Sequence, residues 1–135
     1  MAVNVFYLIV GILSILFSFT HALNGHKTIV NLVHLSNIDI TSKTTIFYVW
    51  HIITIENLIF GIAFLTMAFI KKQSRIKFTA WLIAIIIFAR WGVIFGSTLL
   101  KNINGITGTL TDSLAIIVFV ALIILGTMRK DKVQS

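Results

Sequence analysis

Two opposite charges stand deep inside apolar stretches of this sequence. Glu56 lies in YVWHIITIENLIFGIAFL and Arg90 in WLIAIIIFARWGVIFGSTLL. If both stretches cross a bilayer, one enters near Thr45 and the other leaves by the same side near Leu100. Each charge is then about ten residues in, or roughly 15 Å deep at about 1.5 Å per residue. An unpaired charge at that level costs at least ~2.5–3.5 kcal/mol. Equal depth on adjacent antiparallel spans predicts a Glu56–Arg90 ion pair inside the bundle, supported by Asn57 or Ser97. Such a pair has two uses: to fix register and packing, or to relay a proton or a substrate.

The second set of chemically able residues is the histidines: His21, His26, His34 and His51. All fall toward the boundary from which Glu56 is counted. His21, near the end of the first apolar run, and His51, six or so residues into the second, sit at similar depth. That is the arrangement that axial haem ligation requires, with Lys27 and Lys43 near enough to meet propionates. Imidazole also binds zinc or copper. The plainer reading has His21 bonding the carbonyls that end its helix and His51 bonding a carbonyl or resting beside Trp50. No H-x-x-x-H or H-E-x-x-H spacing is present, so the signal for a metal is weak. His51 and Glu56 are about 140° apart on one helix and form no dyad by themselves.

These side chains need elements to hold them. The chain has 135 residues, 58% hydrophobic and 11% charged, with no proline and no cysteine. Disulfides and thiolate sites are thereby excluded. A mean hydropathy of +1.02 and four long apolar runs, about 3–23, 45–70, 78–100 and 111–128, suit spans of a bilayer core roughly 30 Å thick. The first run lacks a basic leader and is long for a signal peptide, so it reads as a retained span. The expected fold is all-α: a single domain over 1–135, an integral membrane bundle of four transmembrane helices in up-down order.

Charge placement sets the orientation. Lys71, Lys72, Arg75 and Lys77 lie between runs 2 and 3, and Arg129, Lys130 and Lys132 follow run 4; the other links hold only Lys27, Lys43 and Lys101. The basic links belong in the cytoplasm, and with an even number of spans both termini do too. The clusters suit anionic lipid head groups. They are too few, too divided and too poor in aromatics for nucleic acid.

The link of residues 24–44, NGHKTIVNLVHLSNIDITSKT, reads as an interfacial helix, a continuation of span 1, or extended chain. KNINGITGTLTD reads as a turn-rich loop around Gly105 and Gly108, with Thr111 or Asp112 capping span 4. Spans pack through small residues, because lipid offers no hydrophobic drive between them. Asn4, Tyr7, Gly11, Ser14, Ser18, His21 and Gly25 form one such stripe on span 1. Gly92 and Gly96 form a G-x-x-x-G on span 3, about 130° round from Arg90 and Ser97, and offer a face to a second copy or another membrane protein. Tyr48 and Trp50 suit one interfacial belt and Trp81 the other; Trp91 lies deep, against a neighbouring helix.

HALNG (His21 to Gly25) and VWHIIT (Val49 to Thr54) resemble motifs of a broad group of short, uncharacterised bacterial four-span proteins. In that group a His near the end of span 1 is followed four residues later by Gly, and Trp-His opens span 2. The resemblance implies a bacterial inner-membrane four-helix protein with His21 and His51 as positions of interest. It implies no activity and does not extend to Glu56 or Arg90. The leading expectation is a small non-enzymatic multi-pass membrane protein that packs with itself or a partner in the bilayer. The alternatives are a carrier of haem, metal, quinone or lipid that uses its outer-leaflet histidines, and a small proton-coupled transporter. No serine–histidine arrangement, broken helix or inverted repeat points to hydrolysis or transport.

Overall fold

The computed structural model describes residues 3–35 and 37–129. Lys130 and Lys132 lie outside the described residues, as do the side chains of Leu32, Val33, His34 and Leu35. Among the described residues there are four long helices and no strand: α1 (Val5–Leu35), α2 (Ile40–Ala68), α3 (Lys77–Lys101) and α4 (Ile106–Met128). Short 3-10 turns, Gln73–Arg75 and Ile103–Gly105, precede α3 and α4. All four helices are long and apolar enough to cross a membrane. Their outer faces are apolar too: Leu23, Phe78 and Leu100 are 72%, 78% and 82% exposed, a surface that water would not tolerate over this extent.

The link of residues 24–44 is mostly helix. α1 continues through Gly25 to Leu35, and only Asn37, Ile38 and Asp39 precede α2 among the described residues. Nothing from His26 to Leu35 breaks a helix, and Ile29 is buried. At 31 residues α1 is longer than the ~20 that a bilayer core needs. α2 starts where Asp39 accepts the Ser42 backbone N–H at 3.0 Å and the Ser42 hydroxyl at 2.6 Å. The two Ser42 bonds hold the Asp39 carboxyl below its usual pKa. The cap is therefore complete above the ordinary carboxylate range and is lost as acid titrates the carboxylate.

The start of α4 differs from expectation. It begins at Ile106, so Thr111 and Asp112 are inside the helix, and no side chain caps its end. The hydroxyls of Thr109, Thr111 and Ser113 bond back to the carbonyls of Gly105, Thr107 and Thr109. This local bonding lets hydroxyl residues sit within a helix when no cap uses them.

α1 packs along α2, α3 along α4, and α1 more lightly on α4; α2 and α3 approach closely at very few points. The seam between α1 and α2 is tight because it is built on glycines. A Cβ on Gly61 would lie 2.6 Å from Ile15 and 3.0 Å from the Gly11 carbonyl oxygen. Ser14 and Ser18 donate across this seam to the carbonyls of Asn57 and Thr54, each at 2.8 Å.

The hydrophobic core fills only one end of the bundle. Tyr7, Phe64, Met67, Ala80, Ile83 and Ile123 are among its buried residues, and all lie toward the end that holds the start of α1. A polar clasp closes that base. Asn4 donates to Gln73 Oε1 at 2.7 Å and to the Gly126 carbonyl at 3.0 Å, while its own backbone N–H bonds Ala68 O at 2.9 Å. Tyr7 and Thr127 share a hydroxyl bond of 2.9 Å, and Arg129 donates to Val3 O. These bonds satisfy buried polar groups at helix ends.

Gly61→Ala is expected to destabilise the bundle by about 1–3 kcal/mol through overpacking against backbone. Gly92→Ala, where a Cβ would meet nothing within 4 Å, should leave the melting temperature unchanged. Thermal melts by circular dichroism in detergent compare the two.

Candidate functional site

Away from the base the helices separate around a cavity of about 450 Å³, lined by residues of all four. Arg90 sits on its wall. The fork of Arg90 reaches across the loose seam between α3 and α2: Nη1 donates to Glu56 Oε2 and Nη2 to Asn57 Oδ1, both at 3.0 Å. Glu56 and Arg90 thus meet in an ion pair near the middle of their helices. Asn57 supports it. Ser97 does not: it lies about two turns further along α3 and is exposed. Asn57 serves three helices at once, since its backbone carbonyl takes the Ser14 hydroxyl while its side chain takes Arg90.

Trp91 is the next residue after Arg90 and points about 100° away on α3, toward α4. Its Nε1 donates to Ser113 Oγ at 2.7 Å, and its ring stacks on Phe95 at 5.3 Å. Adjacent residues of α3 thereby secure α2 and α4. Phe17 and Phe119 meet on the α1–α4 side, with ring centroids 6.0 Å apart.

The HALNG and VWHIIT segments form one unit on the opposite wall. A Cβ on Gly25 would lie 1.7 Å from Trp50 Nε1, so glycine is what admits the indole. Trp50 Nε1 donates to the His21 carbonyl at 2.9 Å. The His21 ring lies flat on the indole, with centroids 4.1 Å apart and planes 2° from parallel. His21 lines the cavity, and its buried Nε2 has no hydrogen-bond partner among the described residues.

His51 is placed elsewhere. It packs against Phe47 at 4.5 Å and His26 at 6.1 Å between ring centroids, and it does not line the cavity. His21 and His51 therefore do not face one another as two axial haem ligands would. Among the described residues no group of three or more His, Cys, Asp or Glu is gathered to hold a metal ion. Span 1's small stripe, Gly11, Ser14 and Ser18, is buried against α2. Gly92 and Gly96 are not engaged: a Cβ at either would meet nothing within 4 Å.

Comparison with family models, curated proteins and solved structures finds no match. Function must be read from these side chains. Two of the cavity's features had no signal in the sequence. Asp112, expected to cap α4, lines the cavity instead, and Ser113 is buried as the Trp91 acceptor.

Removing one charge of the pair is not equivalent to removing the other. Without Glu56, Arg90 stays charged because a guanidinium does not lose its proton. Without Arg90, the carboxyl can take up a proton and become neutral. Glu56→Gln is therefore expected to lower the melting temperature more than Arg90→Met, with a stability loss of up to about 3 kcal/mol, the scale for an unpaired charge in a span. The swapped pair Glu56→Arg/Arg90→Glu should recover part of that loss. Melts of the three variants that rank Arg90→Met as the most damaged would disprove this account of the pair.

Proposed function

We propose that this chain is an integral membrane protein of four spans that binds a small molecule from the bilayer in the cavity between its helices. The cavity carries the reading. It is of the size that takes one small ligand, and it combines apolar walls with His21, Arg90, Asn57, Trp50 and Asp112. This is the carrier expectation, with His21 rather than the His21–His51 pair at its centre.

The up-down arrangement, both termini cytoplasmic, is supported by the basic residues: Lys71, Lys72, Arg75 and Lys77 adjoin the clasped base, as does Arg129, and such residues favour the cytoplasmic side. The cavity then lies in the outer half. Four apolar helices support a multi-pass protein, and the resemblance of its two motifs supports a bacterial inner membrane.

Self-association is a second reading. The Gly92-x-x-x-Gly96 face is open, with Val93 69% exposed between the glycines, and this spacing lets two helices approach closely. Light scattering of Gly92→Leu/Gly96→Leu against wild type tests it: a dimer that becomes a monomer supports the reading, and equal masses dismiss it.

Native mass spectrometry from bilayer discs tests the cavity. Wild type is expected to carry an added mass that Ile116→Trp, which fills the cavity, lacks. Absorbance of the same preparation separates haem, by its Soret band, from a colourless ligand. A bare wild type indistinguishable from Ile116→Trp would overturn the reading.

A further inference from the structure

The cavity has a neighbour on the α1–α4 side. Phe17, Ala115 and Phe119 line both the cavity and a second space of about 370 Å³ between α1 and α4. The walls of that groove, Leu13, Leu114 and Val118 among them, are apolar apart from Thr111. A polar chamber beside an apolar groove, sharing part of one wall, matches the two parts of an amphiphile. Spaces of about this volume take one small molecule each, so the groove suits a single chain.

Charge narrows the head group. Among the described residues, Arg90 is the one guanidinium or ammonium on the cavity wall, and it is already held by Glu56 and Asn57. Asp112 adds a carboxylate to the same wall. An anionic head would meet that carboxylate with no free counter-charge, and a cationic head would meet the guanidinium. Burying either without a partner is costly. An uncharged oxygen avoids both costs and finds what the cavity offers. Beyond the two N–H groups engaged here, the Arg90 guanidinium has further donors.

We propose that the cavity takes the uncharged hydroxyl or carbonyl head of a single-chain lipid, whose chain leaves between α1 and α4. This rests on the cavity reading above and specifies its ligand class. Arg90 holds the head, Asp112 rejects anions, and Ala115 is the small residue of the wall that the chain crosses.

Photo-crosslinking in bilayer discs tests the proposal with three probes of equal chain length, each bearing a mid-chain diazirine: a fatty alcohol, an alkyl sulfonate and an alkyl trimethylammonium. The alcohol is expected to label the α1 segment at Leu13 to Phe17 and the α4 segment at Leu114 to Phe119. Labelling should saturate and be displaced by unlabelled alcohol. It should exceed that by either charged probe by at least about tenfold, equivalent to about 1.4 kcal/mol. Ala115→Trp should abolish the saturable part. Asp112→Asn should raise sulfonate labelling relative to alcohol, an effect that a purely structural role for Asp112 would not produce.

Saturable labelling that is equal or greater with a charged probe overturns the uncharged head but leaves the cavity reading standing. Labelling by all three that neither saturates nor responds to Ala115→Trp overturns both. If circular dichroism shows Ala115→Trp to be misfolded, the displacement measurement on wild type decides alone.

Discussion

Arg90 is the constraint around which the upper bundle is arranged. Its guanidinium keeps its charge in any surroundings, so a helix that carries it through an apolar layer must deliver it to an acceptor. Glu56 and Asn57 supply two, at 3.0 Å each. They do so across the seam where α2 and α3 otherwise make little close contact. Interhelical polar bonds in membranes contribute only about 0.6 kcal/mol on average, so the pair adds modestly to stability. Its larger effect is on arrangement: it holds α2 and α3 at a distance set by two side chains rather than by packed backbones. The space between the helices is a result of that distance.

The two ends of the bundle are built by different rules. At the base, Tyr7, Phe64 and Ile123 are fully buried, and Asn4 and Tyr7 are answered by polar groups of other chain segments. Toward the mouth, aromatic and polar side chains make single bridges between helices: Trp50 to α1, Arg90 to α2, Trp91 to α4. Bridges leave volume where close packing would remove it. The glycines are divided accordingly. Gly11 and Gly61 draw backbones together, whereas Gly25 makes room for the indole of Trp50.

Depth along a span is a one-dimensional quantity, and whatever depends on it alone is legible in the sequence. The number and order of helices are of this kind, and so is the level at which Glu56 and Arg90 meet. Rotation about the helix axis is harder to read. A spacing of 3 and 4 residues is enough to make Ser14 and Ser18 one stripe, but it does not say which partner they bond. Asn57 and Ser97 are equal candidates as supports until the flank that α3 turns toward α2 is known. His21 and His51 share a depth, yet Trp50 directs the first ring inward, and the neighbouring position directs the second toward Phe47. The ends of α1 and α4 escape for a different reason. Gly25, Thr111 and Asp112 are residues that often stop or start helices, and here a tertiary contact or a back-bonded hydroxyl uses them otherwise.

The clasp at the base also governs the order of assembly. Asn4 is made before its partners Gln73 and Gly126, which lie 69 and 122 positions later. During synthesis the amide must stay hydrated while three more helices are made. Only the arrival of the last helix lets it leave water. A chain truncated within α4 before Gly126 would leave that amide one acceptor short and the base of the bundle open.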